Sequence, residues 1–472
     1  MLLKLATKVN LNQQIKEMFN GSHVNTTEDR PALHTALRSS PETSVLVNNH
    51  DVIPEVYKVL QKMTTFTYDV YSGKHRGSTG KKIRHIVSIG IGGSNLGPEM
   101  VCKALESDNI NKLDVRFVSN VDPYDLENTL KDLKPEETLF IIVSKSFKTP
   151  ETLKNAKSAR KWLTNKLSKN GISKHFVAVS ANTEEVKKFG IDPTNMFKIW
   201  DWIGGRYSVS SAVGLPIMLT IGPKRFKEML SGFLEMDKHY QTTSLNKNVP
   251  VIMALINIWN TNFLKMKTHG VISYDERLSL FSFHLQQLIM ESLGKGVTHD
   301  GTPIKDYIPC SIYYPGVGTN AQHSFFELLH QGAGIRSPID FIATIDPSNP
   351  DNKDLHKTLI LNMIAQADVM AIGISEDELK KTNTPEDLAP HKVLPGNKPS
   401  SLIFTKKLSP KTLGELIALF EHIVHAQATI LNINPFDQMG VEQGKIITSK
   451  YEKLFKEKLT LSSLKSFLNR EK

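Results

Sequence analysis

The stretch HIVSIGIGGSNLGPE at residues 85–99 admits few folds. Ile86, Val87 and Ile89 form a short apolar run between turn signals, which reads as a buried strand. Gly90, Gly92 and Gly93 permit close backbone approach, and Pro98 suits the first turn of a helix, where its missing N–H has no intrahelical partner to lose. Strand, glycine-rich turn and helix together form the opening unit of a parallel α/β sheet. The free N–H groups at such a helix start, with the Ser94 hydroxyl, suit an anion. The stretch is not a P-loop, because Asn95-Leu96-Gly97 stands where a Lys-Ser/Thr pair would follow the last glycine. It is a poor dinucleotide fingerprint as well: Asn95 takes the third glycine's place, and the next strand, Val115 to Ser119, ends without the acid that holds a ribose. Taken alone, it reads equally well as a tight turn with no ligand.

The alternation continues beyond it. Residues 1 to about 80 read as peripheral helices, with helical spacing at 11–19 and 52–63, and Arg30-Pro31 and Ser40-Pro41 as breaks. Strands are expected at 85–89, 114–119, 138–144, 175–180 and 196–202. A second series is expected at 270–274, 310–314, 339–345, 369–374 and 401–404, with helices at about 278–293, 323–331, 354–367 and 410–431. The fold class is therefore α/β: two doubly wound parallel sheets with helical N- and C-terminal extensions. The division expected is 1–80 helical, 81–230 the first α/β domain, 231–265 a helical connection, 266–432 the second α/β domain and 433–472 a turn and helix.

Composition narrows the function. The 472 residues allow two domains with sizeable cores. Two cysteines, Cys102 and Cys310, far apart in the chain, argue against a disulfide framework and for a reducing compartment. The longest apolar runs, such as 251–256, fall far short of a membrane span, and no apolar leader stands at Met1 to Ala6. The chain thus reads as soluble and cytoplasmic, with no membrane partner. A net charge of +10 invites a nucleic-acid reading, but the 58 Lys and Arg are scattered among 48 Asp and Glu. The densest basic cluster, 450–458, contains Glu452 and Glu457 and reads as a solvated helix face, so nucleic acid is not expected.

Several stretches carry chemistry. The third strand runs into SKSFKTPET, another strand followed by a hydroxyl-rich helix start. In a parallel sheet the first and third strands can be neighbours, so Ser94 would share one anion with Ser144, Ser146 and Thr149; the bland alternative is that Ser144 and Thr149 only cap the helix. Beyond the fifth strand, Gly204-Gly205-Arg206 projects a planar fork of donors at the same sheet edge, suited to a phosphate or a developing oxyanion. On an amphipathic segment ended by Gly294, Gln287 and Glu291 stand four apart and share a face. A carboxylate there is either a general base or a solvent-facing residue, and periodicity does not decide. His323 stands at a helix start, where an imidazole able to shuttle protons is favoured; His330, two turns on, fits a core or supporting role better. His422-x-x-His425 is a weak pair, and with HExxH and cysteine-rich spacings absent no metal is implied. Gln438 and Lys445 are the polar candidates of the last turn and helix.

Taken together, IGIGGSNLGP, VSNVDP, SKSFKTPET, DWIGGRYSVSSAVG, QQLIMES, GTNAQHSFFELLHQG and FDQMGVEQGK, in this order over roughly 85–450, closely resemble the glucose-6-phosphate isomerase (phosphoglucose isomerase) family. The resemblance implies a pair of sugar-isomerase (SIS-type) domains and a cofactor-independent aldose–ketose isomerase interconverting glucose 6-phosphate and fructose 6-phosphate through ring opening and a cis-enediol. Carried over residue by residue, it implies that Ser94, Ser144, Ser146 and Thr149 hold the phosphate, with Gly93, Lys145 and Gly205 in the same loops. Gln287 and Gln438 would position the sugar, Arg206 would stabilise the enediolate, and Glu291 would move the proton between C2 and C1. His323, assisted by Lys445, would open the ring, and in the family this histidine comes from the partner subunit of a homodimer. Asn95 in place of a common aspartate, Lys148, Pro150 and Leu293 depart from the family pattern, and bear on affinity more than on reaction type.

The chemistry agrees with the resemblance. Enediol isomerisation needs an anchored phosphate, one base serving two carbons and a charge partner for the oxyanion, roles that Thr149, Glu291 and Arg206 fill. A non-catalytic sugar-phosphate sensor would not need Glu291, Arg206 and His323 together. A nicotinamide dehydrogenase would need the ribose-binding acid that is missing.

Overall fold

The computed structural model describes residues 2–167, 171–454 and 460. The N-terminal part is helical, as α1 (Leu11–Asn20) and α2 (Ile53–Ser72), with a two-residue antiparallel hairpin, Leu46–Val47 and His50–Asp51, between them. α2 runs nine residues beyond the expected 63, until Gly73 takes a left-handed conformation at φ 75°.

The first sheet follows the alternation read from the sequence: β1 (His85–Ile89), α3 (Leu96–Ala104), β2 (Asp114–Val118), α4 (Pro123–Leu130), β3 (Thr138–Val143), α5 (Pro150–Thr164), β4 (Phe176–Ser180), α6 (Thr183–Phe189) and β5 (Met196–Lys198). All pairings are parallel and the order is β2-β1-β3-β4-β5. Ile89 pairs with Val118 on one side and Ile142 on the other, so the chain reverses its winding direction at β1. Ligands of such sheets sit in the crevice at that reversal, beyond the strand C-termini. β3 is buried along its whole length, which explains why Thr-Leu-Phe-Ile-Ile-Val is a continuous apolar run rather than an alternating one. β5 ends at Lys198, four residues short of the expected 202; Trp200 and Trp202 leave the sheet and stack on each other at 5.0 Å.

Helices α7 (Leu215–Thr242) and α8 (Val249–Ile258) come next, and α7 runs unbroken in the chain past residue 231, apart from a kink at Gly222-Pro223. The second sheet comprises β6 (Thr268–Tyr274), α9 (Phe281–Gln286), β7 (Ile312–Val317), α10 (Phe326–Gln331), β8 (Ile339–Thr344), α11 (Lys353–Ile372) and β9 (Ser400–Thr405). It is parallel, in the order β9-β8-β6-β7. Of the apolar run 369–374, expected as a strand, residues 369–372 are instead the last turn of α11, closed by Gly373 at φ 77°, and only Ile374 pairs as a strand would, in an isolated antiparallel bridge with Leu394. An already nucleated helix extends through such a run at little cost, whereas a new strand would need its own ladder. Two other expected helices are interrupted. The 278–293 segment divides into a 3₁₀ turn (Glu276–Leu278), α9 and a π turn (Gln287–Glu291), and the 323–331 segment begins as a 3₁₀ turn at Asn320–His323.

The long helix α12 (Pro410–Ile430) starts on a capping box between Ser409 and Thr412 and is buried over most of its length. It packs against α7 closely enough that a Cβ on Gly232 would stand 1.8 Å from the Lys411 carbonyl oxygen. Both helices lie in the largest core cluster, which ties β1 of the first sheet to β6 of the second. The last described helix is α13 (Glu442–Leu454); of the basic stretch 450–458, residues 455–458 lie outside the described residues. Among the described residues no helix is long and apolar enough to cross a membrane, and Cys102 and Cys310 are free thiols.

Candidate active site

The glycine turn after β1 and the turn before α7 meet back to back. A Cβ on Gly93 would stand 2.1 Å from the carbonyl of Gly205, so only glycine lets these two backbones touch and brings Arg206 up to the β1 loop. The third loop, 144–149, is pinned by Phe147. This residue takes a left-handed φ of 52° while its side chain is buried, edge-on to Phe189 at 5.8 Å. The left-handed conformation costs about 1–2 kcal/mol. Burying a phenylalanine returns about 1.5–3 kcal/mol, so the hook holds.

Helix capping does not consume the Thr149 hydroxyl of this loop. Thr149 precedes α5, yet its side chain makes no capping hydrogen bond; its Oγ1 lies 3.1 Å from Ser144 Oγ. The capping alternative for Thr149 is therefore not what the structure has. Ser146 is exposed and accepts from the Lys148 N–H at 3.2 Å. Thr152 Oγ1, a turn further into α5, is buried with no partner and lines the same cavity. Lys145 turns away from the hydroxyls and donates to the carbonyls of Asp201 (3.3 Å) and Ile203 (3.1 Å); burial, with Arg30 nearby, lowers its pKa.

Arg206 is 2% exposed. Its Nε donates to Ser292 Oγ at 2.6 Å, Nη2 to the carbonyls of Pro435 (2.5 Å) and Asp437 (2.9 Å), and Nη1 to Gln438 Oε1 at 3.3 Å. Glu291 Oε2 lies 3.6 Å from Nη1 and accepts from Gln287 Nε2 at 2.9 Å. The shared face expected for Gln287 and Glu291 is thus present, on a π turn rather than a regular α-turn. The Glu291 side chain keeps 24% of its surface open, towards the cavity. Gln287 Oε1 is buried without a partner and lines the cavity too, an acceptor left for a ligand hydroxyl.

This cavity, about 480 Å³, is lined by Gly93, Ser94, Ser144, Lys145, Ser146, Thr149, Gly205, Arg206, Gln287, Glu291, Gln438 and Lys445. Every site residue expected from the sequence is there except His323. Lys445 sits on exposed α13, ion-paired with Glu442 at 3.1 Å. A second cavity, about 760 Å³, adjoins the first through Gln287, Glu291, Gln438 and Val441. His323 is exposed on the turn after β7 and lines neither. The side chain of His330 reaches Gln366 at 2.7 Å, His422 pairs with Asp237 at 2.7 Å, and His425 meets Tyr240 at 2.8 Å.

Three supporting residues went unnoticed in the sequence. Ser292 is the residue after Glu291, but its contact with Arg206 spans 86 positions. Lys295 donates to Asp437 Oδ1 at 2.5 Å and to the Asp437 carbonyl at 2.7 Å across 142 positions. No local spacing signals either contact. Phe147, an apolar residue inside a polar loop, was the one legible sign of an anchor.

The fold and the site define an α/β protein in which several hydroxyls, a buried arginine and a carboxylate open on one cavity, an arrangement suited to proton transfer on a small anion. Comparison with known proteins makes the assignment particular. The sequence model described as phosphoglucose isomerase matches residues 1–469, and the chain belongs to this family. It is similar to the glucose-6-phosphate isomerases of Syntrophus aciditrophicus (48% identical over 452 residues, 95% of this chain and 82% of the relative) and Corynebacterium glutamicum (48% over 447 residues, 94% and 82%). Among solved structures, a glucose-6-phosphate isomerase from Chlamydia trachomatis superposes with a TM-score of 0.86 at 31% identity, covering 100% of this chain and 89% of that one.

Proposed function

We propose that this chain interconverts glucose 6-phosphate and fructose 6-phosphate through a cis-enediol, with the cavity at the C-terminal edge of the first sheet as its active site. The reading rests above all on one observation: loops far apart in sequence bring Ser94, Ser144, Ser146, Thr149, Arg206, Gln287 and Glu291 to a single cavity. The hydroxyls, at the N-terminal end of α5, hold the phosphate. The partner subunit's His323, with Lys445 near the ring oxygen, opens the sugar ring. Glu291 then takes the proton from C2 of the open aldose and returns it to C1, while the C2 hydroxyl proton passes to the C1 oxygen. C1 is reduced as C2 is oxidised, so the reaction is balanced within the substrate. Arg206 stabilises the enediolate charge, and Gln287 and Gln438 hold sugar hydroxyls.

The same reading makes the protein a homodimer. His323 stands outside the cavity of its own chain, while Phe283, Val297, Met439 and Val441 leave exposed apolar surface around the adjoining cavity, a suitable seat for a partner's loop. It also keeps the division into domains 81–230 and 266–432, each centred on one parallel sheet, and a cytoplasmic setting.

The test is conversion of fructose 6-phosphate by purified protein, wild type against Glu291→Gln. The wild type is expected to turn over and the variant to lose about a hundredfold to ten-thousandfold in kcat. Equal turnover would remove Glu291 from the chemistry, and binding without turnover in the wild type would favour the sensor.

A further inference from the structure

A guanidinium has five N–H donors in a fixed plane. In Arg206 the protein takes four of them: Nε by Ser292, both of Nη2 by the carbonyls of Pro435 and Asp437, and one of Nη1 by Gln438. The donor left over is on Nη1, the nitrogen 3.6 Å from Glu291 Oε2. An arginine so engaged cannot swivel to follow a substrate; it offers one N–H, in one direction, beside the carboxylate.

Ser292 secures that direction. Its hydroxyl accepts from Arg206 Nε at 2.6 Å and lies 2.9 Å from the Tyr207 hydroxyl, which in turn reaches the Pro435 carbonyl at 3.4 Å. The same carbonyl accepts from Arg206 Nη2, so the four groups close a ring. The directions are consistent around it: Nε–H donates to Ser292, Ser292 to Tyr207, and Tyr207 and Nη2–H to Pro435. Burial pushes the Tyr207 hydroxyl up to about 12, moderated by Arg206, so it stays a neutral donor. Ser292, Tyr207 and Arg206 are all buried, and water does not compete for these bonds.

We infer that Ser292 is a positioning residue for the isomerisation, holding the Arg206 plane through a closed ring with Tyr207 and the Pro435 carbonyl. The inference rests on the reading of Arg206 as the enediolate's charge partner. Because Ser292 follows Glu291 directly, one turn carries both the base and the group that aims the base's charge partner.

A residue of this kind acts on the transition state and not on substrate capture. Ser292→Ala is expected to lower kcat roughly tenfold to a hundredfold, because a misaimed donor costs rate far more than binding, with KM within about twofold. Affinity for a hydroxamate mimic of the enediolate should fall by the same factor as kcat/KM, and affinity for a polyol phosphate lacking that charge should hold. Tyr207→Phe, which keeps the packing and removes one bond of the ring, should move the same quantities in the same direction by a smaller factor. Arg206→Met is the control for the underlying reading. If it keeps full activity, Arg206 is not the charge partner and the reading itself fails. If Arg206→Met loses the mimic while Ser292→Ala and Tyr207→Phe do not, the reading stands and the positioning inference is overturned. Parallel loss of both ligands in Ser292→Ala, matched by Tyr207→Phe, would also overturn it, as a structural role for the ring.

Discussion

Thr149 shows how a single side chain separates a structural from a functional reading. In the sequence the bland alternative for its hydroxyl is a cap on the following helix, and a cap would have consumed it. In the structure the hydroxyl makes no capping bond and faces Ser144 Oγ across 3.1 Å, within the cavity lining. Two adjacent hydroxyls, one O–H spent on the other and one left to donate, fit a phosphate, whose charge is the same in substrate and transition state. Thr149→Ala is therefore expected to raise KM several-fold while kcat changes less, since uniform binding is what it removes. Steady-state kinetics check this, and unchanged constants would take Thr149 out of the phosphate site. Glu291, Gln287 and Arg206 were legible because their cues are local: a four-residue spacing and a glycine pair. The contacts that fix them were not. Ser292 to Arg206 and Lys295 to Asp437 join positions that no periodicity relates, and whether Glu291 faced a cavity or solvent depended on packing that the sequence does not display.

The elements of the first sheet were the most legible, because a buried parallel strand announces itself as an uninterrupted apolar run between turn residues. The same cue misplaced 369–374, where an apolar run prolongs α11. The N-terminal residues declared no chemistry in sequence, yet they supply the charge at the centre of the helical core. Arg38 forms a bidentate pair with Asp237 of α7 at 2.8 Å and reaches Glu421 of α12 at 2.7 Å. The second contact lacks hydrogen-bond alignment, since neither Glu421 oxygen has a hydrogen-bond partner. The two acids consequently diverge. Burial pushes Asp237 up, but Arg38 and His422 outweigh it and hold it at about 2. Burial dominates at Glu421 and raises it to about 7. A carboxyl whose folded value exceeds its unfolded value of 4.5 binds more protons in the folded state, so its stabilisation is complete below the unfolded value and is lost as pH rises through about 7. Glu421→Gln, neutral throughout, should remove that loss. Comparing Tm at about pH 5 and about pH 8, the wild type is expected to lose a few degrees more than the variant; identical pH slopes would mean that Glu421 stays ionised beside Arg38.

At the scale of the whole molecule, Glu291, Arg206 and the hydroxyls of the 144–149 loop line one cavity of a chain whose His323 lies outside it. This arrangement can be tested by mixing two inactive proteins. In Glu291→Gln each chain keeps His323, and in His323→Ala each chain keeps Glu291. If each site takes Glu291 from one chain and His323 from the other, a mixed dimer has one site with both defects and one with none. If each site is built from a single chain, both sites of the mixed dimer carry a defect and nothing is regained. Random reassociation makes half of the dimers mixed, so the shared site predicts recovery to about a quarter of wild-type activity from two nearly inactive parents. Unfolding and refolding the two together, against each refolded alone, provides the comparison. No recovery, with mixed dimers demonstrated by a tag on one parent, would place His323 in the service of its own chain and would require the turn after β7 to move towards its own cavity.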